Sequence, residues 1–299
     1  MTDNVNVSWK ENFRIMQLTD LHLVRVDGTG PEQETLDMVR DLIQAEKPDF
    51  IAITGDLSLS DAADCCYYKF CRFMDSFDIP WGYAMGNHDA EWGPGYEALE
   101  HILYNSGSCL YRHGMPDTDG HGNYTISLVE GHREPVWKLY FLDTHAEWYL
   151  APQQTAWYRQ RRDEGNLEWG RQIPALAFMH VPFKEYQDIW DAGAMGVKLE
   201  DVCSMSTDSG MLEAMTEQGE MKGIFVGHDH VNDYIGPWKG TMLVYGRGSC
   251  AGSVTIDGIP RSSYLRPGFV PGCRMIILSR DSFKTYVRLK DGTLLYTDC

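Results

Sequence analysis

The chain has 299 residues, 43% hydrophobic and 12% aromatic, which supplies a substantial core and excludes global disorder. Its 26 basic and 43 acidic residues leave a formal net charge of −17. A surface of that sign repels phosphate backbones at long range, so a nucleic-acid-binding role is not expected.

The opening stretch, Met1 to Asn12, is polar and lacks the apolar core of a secretory signal. No run approaches the roughly 18 apolar residues of a membrane span, so a cytoplasmic chain without a membrane partner is expected. Phe13 to Leu18 reads as a buried strand, as do Phe50 to Thr54 and Trp81 to Met85. Between them, Leu36, Val39, Leu42 and Ile43 share one face of a helix over about Glu32 to Glu46. Phe70, Phe73, Met74 and Phe77 do the same for a helix from Ala62 to Phe77. Strand–helix–strand alternation implies parallel pairing.

Tyr124 to Val129 and Val136 to Leu142 read as an antiparallel pair joined through Glu130, Gly131 and His132, followed by a helix over Gln153 to Arg162. Further strands fall at Ala175 to Met179, Gly223 to Val226, Met242 to Tyr245, Arg274 to Leu278 and Lys284 to Leu289. The last four lie close together and suggest a second, mostly antiparallel sheet. The segment 184–209 reads as an irregular excursion near a site. A single domain over 1–299 is expected, built from two packed sheets with helices outside. The eight cysteines form no C-x-x-C pair, and Cys65 and Cys66 are adjacent, so reduced thiols are expected.

Five polar clusters follow five of these strands: Asp20-Leu21-His22, Gly55-Asp56, Gly86-Asn87-His88-Asp89, His180 and Gly227-His228-Asp229-His230. In open α/β sheets ligands bind beyond the carboxyl ends of strands. Each cluster taken singly has an ordinary reading as a turn or helix cap. Their recurrence at five equivalent strand ends is what points to chemistry. Alternate residues on extended backbone point the same way, so Asp20 and His22 can converge on one ion.

The count of donors fits two metal ions. Asp20, His22 and His230 can serve one; Asn87, His180 and His228 can serve the other; Asp56 can bridge with its two oxygens. Mixed nitrogen and oxygen ligation suits Mn, Fe, Zn, Co or Ni better than Mg or Ca. Such a pair binds phosphoryl oxygens and makes hydroxide available near neutral pH. It would also give a strongly acidic chain the local positive centre that a small phosphoester substrate requires. His88, beside the candidate ligand Asn87, is the expected donor to a departing oxygen or stabiliser of transition-state charge, with Asp89 fixing its tautomer.

These five clusters, in this order, resemble the calcineurin-like metallophosphoesterase superfamily. Gly122-Asn123-Tyr124, Phe141-Leu142-Asp143, His180-Val181-Pro182, Gly227-His228-Asp229-His230-Val231-Asn232-Asp233-Tyr234 and Tyr245-Gly246 resemble non-purple relatives of the purple acid phosphatases in particular. The likeness runs from about Phe13 to Leu278. It implies a four-layer α/β/β/α sandwich, a dinuclear centre and hydrolysis of phosphate mono- or diesters. Purple enzymes carry a metal-binding tyrosine three residues after the Gly-Asp aspartate; here that position is Leu59, and His22 is a ligand that they lack. The tyrosinate colour of an iron enzyme is therefore not implied. Arg247 stands where the subgroup tends to carry glycine.

Phosphomonoester hydrolysis is the leading expectation, with phosphodiester hydrolysis as an alternative on the same ligands. A non-catalytic scaffold on this fold is the alternative from another class. Arg247 is expected either at substrate phosphate or on the surface, and His145 at the pocket wall or in a structural contact. His101, His113, His121 and His132 are read as ordinary. Trp148, Trp157, Tyr158 and Trp190 are expected in the core or stacked on substrate. Asp208-Ser209-Gly210, which ends the irregular excursion, is expected to shape the cleft.

Overall fold

Phe50–Thr54 is an unbroken buried run, the pattern of a strand covered on both faces. The computed structural model describes residues 4–24, 31–114, 118–131, 134–252, 255–256, 259–260, 266 and 268–296. In chain order it begins with β1 (Asn4–Ser8), β2 (Phe13–Leu18), α1 (Pro31–Glu46), β3 (Phe50–Thr54), α2 (Ala63–Asp75), β4 (Trp81–Ala84) and α3 (Tyr96–Tyr104). Next come β5 (Tyr124–Glu130), β6 (Glu134–Phe141), α4 (Pro152–Trp169), β7 (Ala175–Phe178), α5 (Glu185–Asp191), β8 (Met195–Lys198), α6 (Met211–Thr216) and β9 (Met221–Val226). The remainder is β10 (Asn232–Trp238), β11 (Thr241–Tyr245), a small pair β12 (Thr255–Ile256) and β13 (Ile259–Pro260), then β14 (Gly272–Leu278), β15 (Phe283–Leu289) and β16 (Leu294–Leu295).

Two mixed sheets result. One has six strands in the order β16-β15-β14-β2-β3-β4, the other eight in the order β1-β5-β6-β7-β9-β11-β10-β8. β2, β3 and β4 run parallel, as do β6, β7, β9 and β11, so the carboxyl ends of β2, β3, β4, β7 and β9 carry the five polar clusters. Between the sheets lies an aromatic row set by strand register. Tyr124 pairs with Phe141, Phe141 with Phe178 and Phe178 with Phe225 across neighbouring strands, with ring centroids 4.9, 5.2 and 5.4 Å apart. Phe50 meets Phe141 edge-on from the facing sheet. The second apolar cluster joins Trp157 and Tyr158 of α4, Tyr186 and Ile189 of α5 and Leu212 and Met215 of α6 to the eight-stranded sheet. Trp157, Tyr158 and Trp190 therefore belong to packing, not to a substrate surface. The architecture is the expected α/β/β/α sandwich.

Several expectations are corrected. The polar opening forms edge strand β1, pairing in parallel with β5, because Val5 and Val7 alternate with polar residues and pack against the core. The last four strands do not make one antiparallel sheet: β9 and β11 lie parallel in the larger sheet, while β14 and β15 extend the smaller one. The excursion 184–209 contains α5 and β8, which is bonded to β10. α4 continues to Trp169, well past Arg162. His132, within the expected hairpin turn, lies outside the described residues. The seven described cysteines are free thiols, and no helix among the described residues is long and apolar enough to cross a membrane.

Arg247 reaches neither solvent nor a substrate surface. It is buried with its guanidinium 3.5 Å from the Phe269 ring centroid, and Nη1 donates to Asp233 at 3.0 Å. The fully buried Arg274 of β14 pairs with the same carboxylate and donates to the Tyr245 carbonyl at 2.7 Å, which ties the two sheets together. Removing the carboxylate would strand two buried cations. Asp233→Ala is expected to lower the unfolding free energy by about 3–5 kcal/mol in denaturant titration; a loss below about 1 kcal/mol would contradict this clamp.

Candidate metal centre

The backbone beyond β2 and β3 stays paired after the strands end. Asp20 N donates to the Gly55 carbonyl (3.2 Å), His22 N to Asp56 (3.0 Å) and Leu23 N to Leu57 (2.8 Å). To keep this pairing, Asp20 (φ 55°), His22 (φ 46°) and Asp56 (φ 54°) adopt the left-handed region. The expected extended Asp-x-His geometry is thus wrong; twisted backbone, not strand alternation, converges the two side chains. His228 (φ 74°) is the fourth such residue. A left-handed non-glycine residue costs about 1–2 kcal/mol, and strain of this kind gathers at functional sites.

Two glycines make the approach possible. A Cβ on Gly86 would lie 2.2 Å from Asp56 Oδ1, and one on Gly55 (φ 85°) would lie 2.4 Å from His180 Nδ1. Larger residues there would push the Asp56 and His180 side chains apart.

The structure gathers all seven predicted metal-site residues at the seam between the sheets. Asp20, His22, Asp56 and His230 bring donor atoms within 4.8 Å of one another, and so do Asp56, His180 and His228. Asp56 belongs to both groups. His22 Nε2 faces His230 Nε2 at 3.1 Å and Asp56 Oδ2 at 3.7 Å; His230 Nε2 lies 3.8 Å from Asp20 Oδ1. His180 donates Nδ1 to the Thr54 carbonyl at 2.8 Å. Its Nε2 is thereby turned toward Asp56 Oδ2 (3.2 Å), Asn87 Oδ1 (3.1 Å) and His228 Nδ1 (3.3 Å). Asp20 and His228 lie side by side, with the His228 N–H 3.2 Å from both Asp20 oxygens.

Lone pairs crowd one another around His22 and His230, and the buried Asp56 Oδ2, which both groups share, makes no well-directed hydrogen bond among the described residues. Cations resolve such crowding, so the side chains fit a pair of metal ions. Burial holds the His22 and His228 imidazoles well below their usual range and His230 at about 4, leaving neutral, ligand-ready rings. For His180 burial acts the same way, but the Asp56 carboxylate outweighs it and pushes the imidazole up to about 10. Burial lifts Asp20 to about 7. It also pushes Asp56 upward, yet His180 and its neighbours hold that carboxyl well below the carboxylate range.

His88 and Asp89 separate. Asp89 is fully buried and accepts from the backbone N–H groups of Leu57 (2.9 Å), Gly86 (2.8 Å), Asp56 (3.2 Å) and Ser58 (3.3 Å), and from the Tyr83 hydroxyl (2.5 Å). With both oxygens so used, Asp89 holds the Asp56 loop and does not orient His88. That partner is Glu91, whose carboxylate meets His88 Nδ1 at 2.5 Å. The half-exposed His88 ring lies 5.7 Å from the His22 ring. Glu91 was missed in the sequence, although its position three residues on is ordinary turn spacing. Thr19 was missed too; its hydroxyl fixes Asp20 Oδ2 at 2.8 Å. Tyr83 gave no signal at all, being one apolar-looking residue in a buried strand.

Around the rim, Trp148 packs edge-on against the His228 ring at 4.6 Å, so it alone of the four weighed aromatics contacts the cluster. His145 is structural: it stacks on Tyr149 at 4.2 Å and meets Gln154 at 3.2 Å. Asp229 accepts from the Tyr245 hydroxyl and the Cys203 backbone, which steadies the segment carrying His228 and His230. Asp208, Ser209 and Gly210 line a separate hollow with Phe183 and Lys239.

Residues 13–232 match the family described as calcineurin-like phosphoesterase. "Probable inactive purple acid phosphatase 29" of Arabidopsis thaliana is 28% identical over 340 residues, covering 96% of this chain and 84% of that protein. "Phosphatase DCR2" of Saccharomyces cerevisiae is 26% identical over 259 residues, covering 74% of this chain and 44% of that one. A dimetal phosphatase from Danio rerio superposes with a TM-score of 0.63 at 12% identity, covering 96% of this chain and all of its own (100%). The purple acid phosphatase PPD1 of yellow lupin gives 0.54 at 14% identity, over 95% of this chain and 52% of that one. These structures share the fold, and the family match spans all five clusters. The chain belongs to the calcineurin-like phosphoesterase family.

Proposed function

We propose that this chain hydrolyses phosphate monoesters with two divalent transition-metal ions. Asp20, His22 and His230 would hold one ion and Asn87, His180 and His228 the other, with Asp56 shared between them. The observation that carries this reading is the one carboxylate common to both donor groups. Mixed nitrogen and oxygen donors with no thiolate suit Mn, Fe, Zn, Co or Ni. When bound, the ions supply positive charge for phosphoryl oxygens and a deprotonated water at neutral pH.

The remaining work falls to the chain. The Thr54 carbonyl fixes which nitrogen of His180 faces inward, and Thr19 with the His228 backbone orients Asp20. With Nδ1 engaged by Glu91, His88 has Nε2 left to meet the departing substrate oxygen. Leu59, buried where purple enzymes carry a ligand tyrosine, supplies no charge-transfer donor. Several relatives bear the word inactive in their names. Support for activity here comes from the complete donor set together with His88.

Asp56→Asn is expected to release both ions together, read by metal analysis after reconstitution; two equivalents retained would refute the bridge. His88→Ala is expected to lower kcat at least tenfold on p-nitrophenyl phosphate with Mn²⁺ while metal content stays near wild type. Loss of metal in that variant would make His88 a ligand. Wild type is expected to prefer p-nitrophenyl phosphate over bis-p-nitrophenyl phosphate, and the opposite preference would establish a diesterase. Fewer than one equivalent of metal in reconstituted wild type would favour a scaffold.

A further inference from the structure

Glu100, His113 and His121 form a third group of converging donors and share no residue with the Asp56-centred pair. Glu100 is buried on α3, and its Oε1 lies 2.8 Å from His113 Nδ1 and 3.4 Å from His121 Nδ1. Nδ1 of His121 is sealed from solvent and meets that oxygen without the direction of a hydrogen bond. All three donor atoms lie within 4.8 Å of one another. Bond lengths of about 2.0–2.2 Å around a tetrahedral zinc place its ligand atoms roughly 3.3 Å apart, so small shifts admit an ion.

The three side chains are set in place by contacts that leave these atoms pointing inward. The His113 carbonyl accepts from Gly122 N (2.9 Å) and Asn123 N (3.2 Å), which ties together the two histidine-bearing segments. His121 N donates to Asp143 at 2.7 Å, and the Tyr96 ring stacks on the His121 ring at 4.6 Å. The Tyr111 hydroxyl donates to Glu100 Oε1 at 2.5 Å, the kind of outer contact that orients a ligating carboxylate. The His113 and His121 side chains are 42% and 30% exposed, so an ion can enter and keep a water in its fourth position. Burial pushes the Glu100 carboxyl up, but His121, Tyr111 and His113 hold it down at about 2, so it is a carboxylate at neutral pH.

We propose that Glu100, His113 and His121 bind a single divalent transition-metal ion of the zinc type, which staples α3 to the segment leading into β5. Two imidazoles and one carboxylate are a recognised zinc ligand set, and the ion would replace the proton-mediated contacts that now join them. The inference stands independently of the dinuclear reading.

The test is zinc binding by the full chain, stripped with chelator and titrated with Zn²⁺ alone. Wild type is expected to bind three equivalents, and Glu100→Gln or the half-exposed His113→Ala two, with at least tenfold weaker binding of the third. In an Asp56→Asn background one equivalent is expected to persist and to disappear when His121→Ala is added. No equivalent in the Asp56→Asn protein, or a third equivalent undiminished by His113→Ala, would overturn the proposal. A wild type binding one equivalent that Glu100→Gln abolishes would instead uphold it while sinking the dinuclear centre.

Discussion

The structure turns on crowded lone pairs at one seam. Four imidazoles, two carboxylates and an amide are pressed together where the carboxyl ends of five strands meet, three from one sheet and two from the other. Burial favours neutral rings at His22 and His228, while the Asp56 carboxylate favours the charged form of His180. Desolvation makes such crowding costly, so the fold must impose it from outside.

It does so with cross-sheet polar contacts and with backbone strain. Gln17 of β2 donates to the Val226 carbonyl of β9 at 3.1 Å, and the Asp233 clamp joins β10 to β14 through Arg274. His180 and Thr54 link β7 to β3 directly at the site. Left-handed backbone at Asp20, His22, Asp56 and His228 is tolerated because neighbouring carbonyl and amide groups remain paired along the loops. Asp89 serves the same end, gathering four amide groups so that Asp56 is presented rigidly to both donor groups.

Membership of the phosphoesterase family accounts for the fold, and relatives carry differing activity labels in their names. Activity therefore has to be argued from the site. Here the donors, the bridging position and a histidine beyond them are all present.

The sequence by itself determined the strand-end clusters, because metal-ligating residue types after apolar runs are a local signal that survives without coordinates. It determined the parallel β2–β3–β4 unit for the same reason: strand and helix periods alternate there cleanly. Only tertiary structure decided which strands share a sheet, since Gly223 to Val226 and Arg274 to Leu278 look alike as apolar runs and differ only in their partners. It also decided the partners of Asp89, Arg247 and His88. A carboxylate adjacent in sequence to a histidine suggests a pair, but the loop after β4 turns Asp89 inward to amides and leaves Glu91 beside the ring. Side-chain direction in loops depends on φ and on long-range hydrogen bonds, and neither is encoded in spacing.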